Sequence, residues 1–122
     1  MNKKILILCC LVLFFMSIVS VSAGDNDTFT SLQTEINQPG NTIELTHNYV
    51  YDNSTDGELQ TGIGITKDNF TINGNGFTID GANQARIFHI TGENVTISNL
   101  NIINGYRFNK AGAGILAEDS II

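Results

Sequence analysis

Ile65-Thr66-Lys67-Asp68-Asn69-Phe70-Thr71-Ile72 returns 25 residues later as Ile90-Thr91-Gly92-Glu93-Asn94-Val95-Thr96-Ile97. Five of the eight positions are identical, and Val95 in place of Phe70 keeps the apolar character. Ile115 extends the column begun by Ile65 and Ile90, and a second apolar column runs two residues earlier through Ile63, Phe88 and Ala113. Further along, the register slips by one, which sets Ile79-Asp80-Gly81 over Ile103-Asn104-Gly105 at a spacing of 24. A fixed period in the twenties marks a solenoid, each repeat forming one turn stacked on the last.

On either side of that pair the chain alternates apolar with small or polar residues. The pattern holds in Thr42-Ile43-Glu44-Leu45, Tyr49-Val50-Tyr51, Gly62-Ile63-Gly64-Ile65, Phe77-Thr78-Ile79 and Ile87-Phe88-His89-Ile90. These segments read as short strands. Asn73-Gly74-Asn75-Gly76, Asp80-Gly81, Gly92-Glu93-Asn94 and Asn104-Gly105 separate them with residues that tolerate positive φ. Short strands joined by turns too tight for helices give an all-β chain, a parallel β-helix over residues 41–122. Successive coils then lie ~4.8 Å apart, and Ile65, Ile90 and Ile115 are expected to meet inside. Each buried Ile or Phe contributes roughly 1.5–3 kcal/mol. Asn69 and Asn94 are expected to stack at a turn and share amide hydrogen bonds.

Residues 24–40 carry a different period. Phe29, Leu32 and Ile36 recur at helical spacing between Asp25 and Asn37, Asp27 or Thr28 can cap the start, and Pro39-Gly40 stops the segment. The first turn of a solenoid has an open apolar face, so this short helix is assigned as an N-terminal cap. Two polar stretches interrupt the repeat: Tyr51 to Gly62, and the more basic and aromatic Tyr106-Arg107-Phe108-Asn109-Lys110-Ala111-Gly112. The sequence stops at Ile121-Ile122 in mid-repeat, which reads as the N-terminal part of a longer protein.

Residues 1–23 read as a signal peptide: Lys3 and Lys4, an apolar run from Ile5 to Val19, then Val21-Ser22-Ala23 before a cleavage point at Gly24. The apolar run is shorter than the roughly 20 residues a bilayer span needs. Cleavage removes Cys9, Cys10, Lys3 and Lys4, so the mature chain has twelve carboxylates against four basic side chains, a net charge of −8. Without cysteine it has neither a disulfide framework nor a thiolate site. Its acidity argues against a nucleic-acid partner.

Phe29-x-x-Leu32, Thr42-Ile43-Glu44-Leu45, Thr71-Ile72-Asn73-Gly74-Asn75-Gly76, Thr78-Ile79-Asp80-Gly81, Arg86-Ile87-Phe88 and Asn94-Val95-Thr96-Ile97 form an ordered set. The set resembles the N-terminal coils of adhesin-like surface proteins of methanogenic archaea, among the right-handed parallel β-helix proteins of pectate-lyase-like shape. That resemblance covers nearly all of the mature chain. It implies a secreted or surface-attached protein with more coils and a C-terminal anchor. Such coils also occur in polysaccharide lyases and hydrolases, so the shape does not decide an activity.

For an enzyme of this shape, the resemblance implies clustered carboxylates, often with calcium and a basic residue, on the outer face of a sheet. The candidates are Asp68 and Glu93 in equivalent turn positions, with Asp80, Arg86 and His89. Each has an ordinary reading: Asp68 and Glu93 as solvated turn acids, Asp80 as a turn-closing side chain, His89 as an outward-facing strand residue. Arg86 reads as pairing with a neighbouring acid at an exposed site, where a pair contributes little. No spacing suggests a triad, a zinc site or a phosphate loop, so no catalytic, metal or cofactor residue is assigned. Sequons begin at Asn26, Asn53, Asn69 and Asn94, of which Asn53 in its polar loop is the best acceptor. The reading is a non-catalytic surface adhesin whose candidate partners are cell-surface carbohydrate or another surface protein. The alternative is the start of a secreted polysaccharide lyase or glycoside hydrolase, and a structural envelope layer is a third.

Overall fold

A computed structural model describes residues 26–108 and 112–118. The signal-peptide reading and its cleavage point lie outside these residues, as do Asp25, Asn109, Lys110, Ala111 and the last four positions. The element order is β1 (Asn26–Thr28), α1 (Phe29–Asn37), β2 (Thr42–Glu44), β3 (Asn48–Val50), β4 (Ile63–Ile65), β5 (Thr71–Asn73), β6 (Thr78–Asp80), β7 (Phe88–Ile90), β8 (Thr96–Ser98), β9 (Asn101–Ile103) and β10 (Ile115–Ala117). Three parallel sheets result: A, ordered β1-β3-β6-β9; B, ordered β2-β5-β8; and C, ordered β4-β7-β10. Each circuit of the chain adds one strand to C, then B, then A, as in a parallel β-solenoid.

Burial follows the pleat. In sheet C the first and third residues of β4 and β7 point inward, so Ile63, Ile65, Phe88 and Ile90 are sealed from solvent. In sheets A and B the middle residue does so, as Tyr49, Ile79 and Ile72 show. Phe70 and Val95 fill the corner between C and B. Together with Phe29, Leu32 and Ile36 of α1 these side chains form one core.

The repeat of Ile65–Ile72 at Ile90–Ile97 is real in space: Ile63 lies beside Phe88, Ile65 beside Ile90, and Ile72 beside Ile97. Beyond it the sequence register misleads. Ile115 pairs with Phe88, not Ile90, and Ala117 pairs with Ile90, while Ala113 lies outside the strand. Ile79 pairs with Ile102, not Ile103. The cause is turn length. The connection from β5 to β6 spans 74–77, but from β8 to β9 only 99–100, which pulls sheet A to a spacing of 23. The following connection, 104–114, is longer than its predecessor at 81–87 and pushes sheet C out to a spacing of 27. Hydrogen bonding fixes the distance between coils, and loops absorb any number of residues.

The helix begins at Phe29, four residues after Asp25, because Asn26–Thr28 is the first strand of sheet A. Thr28 caps it, its hydroxyl accepting from the Ser31 N–H at 3.2 Å. In the order of sheets, α1 stands where sheet C would have its first strand. Gln33 completes that substitution: its side-chain N–H donates to Gly64 O at 2.9 Å, and its Oε1 accepts from Gly64 N at 2.7 Å. One amide thus engages the β4 edge as a neighbouring peptide unit would. The Tyr49 hydroxyl donates to Glu35 Oε1 at 2.9 Å, tying the helix to sheet A. Among the described residues no helix is long and apolar enough to cross a membrane.

A candidate binding corner between sheets A and C

The three corners of the solenoid differ in length. The turns from C to B, 66–70 and 91–95, are short and alike, and those from B to A are tight. All the irregular chain leaves from the corner between A and C, in the connections 51–62, 81–87 and 104–114. Both interruptions seen in the sequence, Tyr51–Gly62 and Tyr106–Gly112, therefore emerge at one place.

Two buried charges organise this corner. Asp56, 1% exposed, sits at the start of α1. Its carboxylate accepts from Phe29 N at 3.1 Å, Thr30 N at 2.8 Å, Thr30 Oγ1 at 2.6 Å and Asp52 N at 2.8 Å. A negative group bonded to the first N–H groups of a helix is favoured by both the unpaired donors and the macrodipole. Arg86, 4% exposed, lies deeper along the corner. Its Nε donates to Gly112 O at 2.9 Å and its Nη1 to Thr61 O at 3.0 Å, linking the loops before and after its own. Burial draws its pKa below the ordinary arginine range, the nearby Arg107 charge lowers it further, and Glu118 opposes. The exposed ion pair expected for Arg86 is thus replaced by a buried staple, because the backbone of three stacked loops closes over it.

Beside that staple Gln60, Gln84, Tyr106, Arg107 and Phe108 line a pocket of about 130 Å³. Its walls are fixed by backbone hydrogen bonds: Arg86 N to Gln60 O at 3.1 Å, Gln84 N to Gly81 O at 2.9 Å, and Tyr106 N to Ala85 O at 2.8 Å. Tyr106 is 44% and Phe108 71% exposed. Arg107 Nε is sealed from water and has no hydrogen-bond partner. On the other side of the 52–59 loop, a wide groove of about 550 Å³ runs between it and Thr30, Gln33 and Thr34.

The candidate acids do not gather here. Asp68 and Glu93 lie at the C–B corner, where Asp68 Oδ1 accepts from Glu93 N at 2.8 Å. Asp80 closes its turn as expected, accepting from Ala82 N at 2.7 Å, and also takes Asn104 Nδ2 at 3.1 Å. His89 faces outward from sheet C and meets Glu118 at 2.7 Å. Asn94 Nδ2 donates to Asn69 Oδ1 at 2.8 Å, so the ladder forms, but on the exposed surface and not in the interior. Both asparagines adopt positive φ, 53° and 55°. Asn53 is exposed in its loop, and Asn26 is exposed on β1. Among the described residues no three His, Cys, Asp or Glu side chains are grouped to hold a metal ion.

Sequence reading found the two loops but not Asp56, the pocket or the convergence. A signal was present: each loop leads into a segment carrying a member of the Ile65–Ile90–Ile115 column, so the two had to share a corner. No family model matches this chain, and no curated protein or solved structure matches it either.

Proposed function

We propose that this protein is a secreted or cell-surface adhesin-like protein, a right-handed parallel β-helix that serves as a rigid, non-catalytic binding surface. General chirality supports the right-handed winding: connections between parallel strands of one sheet are right-handed in about 98% of cases. The observation that carries the reading is the division of labour between corners. One corner gathers all the long loops around two buried charges and a pocket. The candidate catalytic acids are not brought together: Asp68 and Glu93 stand at the C–B corner and Asp80 at the start of the 81–87 loop, with Asp68 and Asp80 engaging backbone N–H groups. A binding role needs a rigid scaffold that presents loops at one edge, and this chain has that form. The export reading rests on residues 1–23, and the resemblance to adhesin-like coils of methanogenic archaea points the same way.

The test has two parts. Protease shaving of intact cells should remove the protein, placing it outside the membrane. Incubation of the whole protein with acidic polysaccharides should release no oligosaccharides. Release would move it to the lyase or hydrolase reading, and protection from the protease would end the surface reading.

A further inference from the structure

We infer that Asn53 alone among the four sequon asparagines carries an N-linked oligosaccharide, and that the sugar is transferred to the folded chain. This rests on the reading of the protein as secreted or surface-borne, where such a modification belongs. The four differ in what the fold would have to give up for each to be modified.

A transferase must grip a short stretch of backbone around the asparagine, so an acceptor in a folded chain has to come away from its neighbours. Asn69-Phe70-Thr71 and Asn94-Val95-Thr96 are held too firmly for that. Their middle residues, Phe70 and Val95, are sealed in the core, and Thr71 and Thr96 pair with each other in sheet B. Asn69 N donates to Glu93 O at 2.8 Å, and the two asparagine side chains are bonded to one another. Asn26-Asp27-Thr28 is β1 itself, paired along its whole length with β3. Its Thr28 and Asp27 side chains also hold Ser31 at the start of α1.

Asn53-Ser54-Thr55 lies at the tip of the 51–62 loop, and all three residues are exposed. Their backbone N–H bonds stay inside the loop: Ser54 N donates to Asp52 Oδ1 at 2.9 Å and Thr55 N to Asp52 O at 3.0 Å. A long bond from Thr30 Oγ1 to Thr55 O, 3.3 Å, is the tie to α1. Asn53 Oδ1 accepts only from the Tyr51 hydroxyl, at 3.4 Å, and among the described residues its Nδ2 donates to nothing. The side chain stands between two hollows, of about 550 Å³ toward α1 and about 520 Å³ toward β1 and β3. A first sugar therefore meets open space on both sides. Buried Asp56 anchors the base of the loop, so the tip can be lifted without loosening the helix.

The donor is a lipid-phosphate-linked oligosaccharide. A bond forms between Asn53 Nδ2 and C1 of its first sugar while the bond from C1 to the phosphate oxygen breaks. The phosphate leaves with the electron pair, and the amide nitrogen gives up one proton.

Mass spectrometry of the protein recovered from its own cells tests this. Cleavage after glutamate separates the sequons, with Asn26 in a peptide ending at Glu35 and the others in 45–58, 59–93 and 94–118. The 45–58 peptide should carry an oligosaccharide mass, and the other three should have the masses of their sequences. Asn53→Gln and Thr55→Ala should each abolish that added mass, Thr55→Ser should retain it, and all three should keep the circular-dichroism spectrum of the parent. Mass that persists in Thr55→Ala would overturn the sequon assignment. Sugar on any of the other three peptides would overturn selection by the folded chain. A bare 45–58 peptide would overturn the site. If that bare protein is still removed by protease shaving, the surface reading stands without it; if it resists shaving, both fail.

Discussion

The first and the last described coil are covered very differently. At one end α1 lies against β1, β3 and β4. It buries Phe29, Leu32 and Ile36 to 1% exposure or less and joins its Gln33 amide to the β4 edge. At the other end β8, β9 and β10 are the outer strands of their sheets, and no described strand pairs beyond them. Ile103, Tyr106, Phe108 and Ile115 are exposed there, between 37% and 71%. Parallel sheets do not have to be capped by more sheet. A helix suffices when it supplies apolar cover, a peptide mimic for the edge, and a counter-charge for its own dipole.

Removing the counter-charge should have the largest effect. Asp56→Ala strands three backbone N–H groups around a buried void and should cost at least about 3 kcal/mol in urea unfolding. A loss below about 1 kcal/mol would mean that the helix does not depend on the loop. A matched truncation then compares the ends directly. Leu32→Ala, in the sealed cap, should cost about 3 kcal/mol, and half-buried Ile102→Ala about 1. Equal losses would break the comparison.

Gln33→Ala should cost about 1–2 kcal/mol and bare the edge of β4, so sedimentation should show concentration-dependent association that the parent lacks. Tyr49 sharpens the contrast through pH. Burial, then the bond to Glu35, raises its phenol above the ordinary 10.0. The folded chain therefore keeps a proton that the unfolded chain releases near that value. Its contribution is whole below about pH 10 and falls as pH rises beyond it. Tyr49→Phe should flatten the alkaline decline in melting temperature. In the last described coil, Phe108→Ser should change stability by no more than about 0.5 kcal/mol while reducing binding of a hydrophobic dye.

The legible parts of the molecule were those where covalent spacing and spatial spacing coincide. Ile63 to Asn73 over Phe88 to Ser98 is such a stretch, with equal turns between C and B, so the identical residues do stack. Ile115 looked like the third member of the Ile65 column only because a shortened turn and a lengthened loop nearly cancel. Nothing in apolar periodicity reports turn length, so the slip was invisible. The same holds for Asp56 and Arg86. Each is a charged residue in a polar or turn-like context, and what buries it is chain from other coils. Asn69 and Asn94 were readable because their ladder depends only on the repeat and on a left-handed turn that asparagine tolerates.

The Gln33 amide has a further consequence, best put in the language of polymers. An exposed row of strand backbone is a living chain end, able to recruit another strand and then another. By satisfying Gly64 through a side chain that cannot itself be extended, the helix acts as a terminator. At sheet C, growth on the α1 side of β4 is thereby halted at Gly64, by an amide that offers no further edge to the next strand.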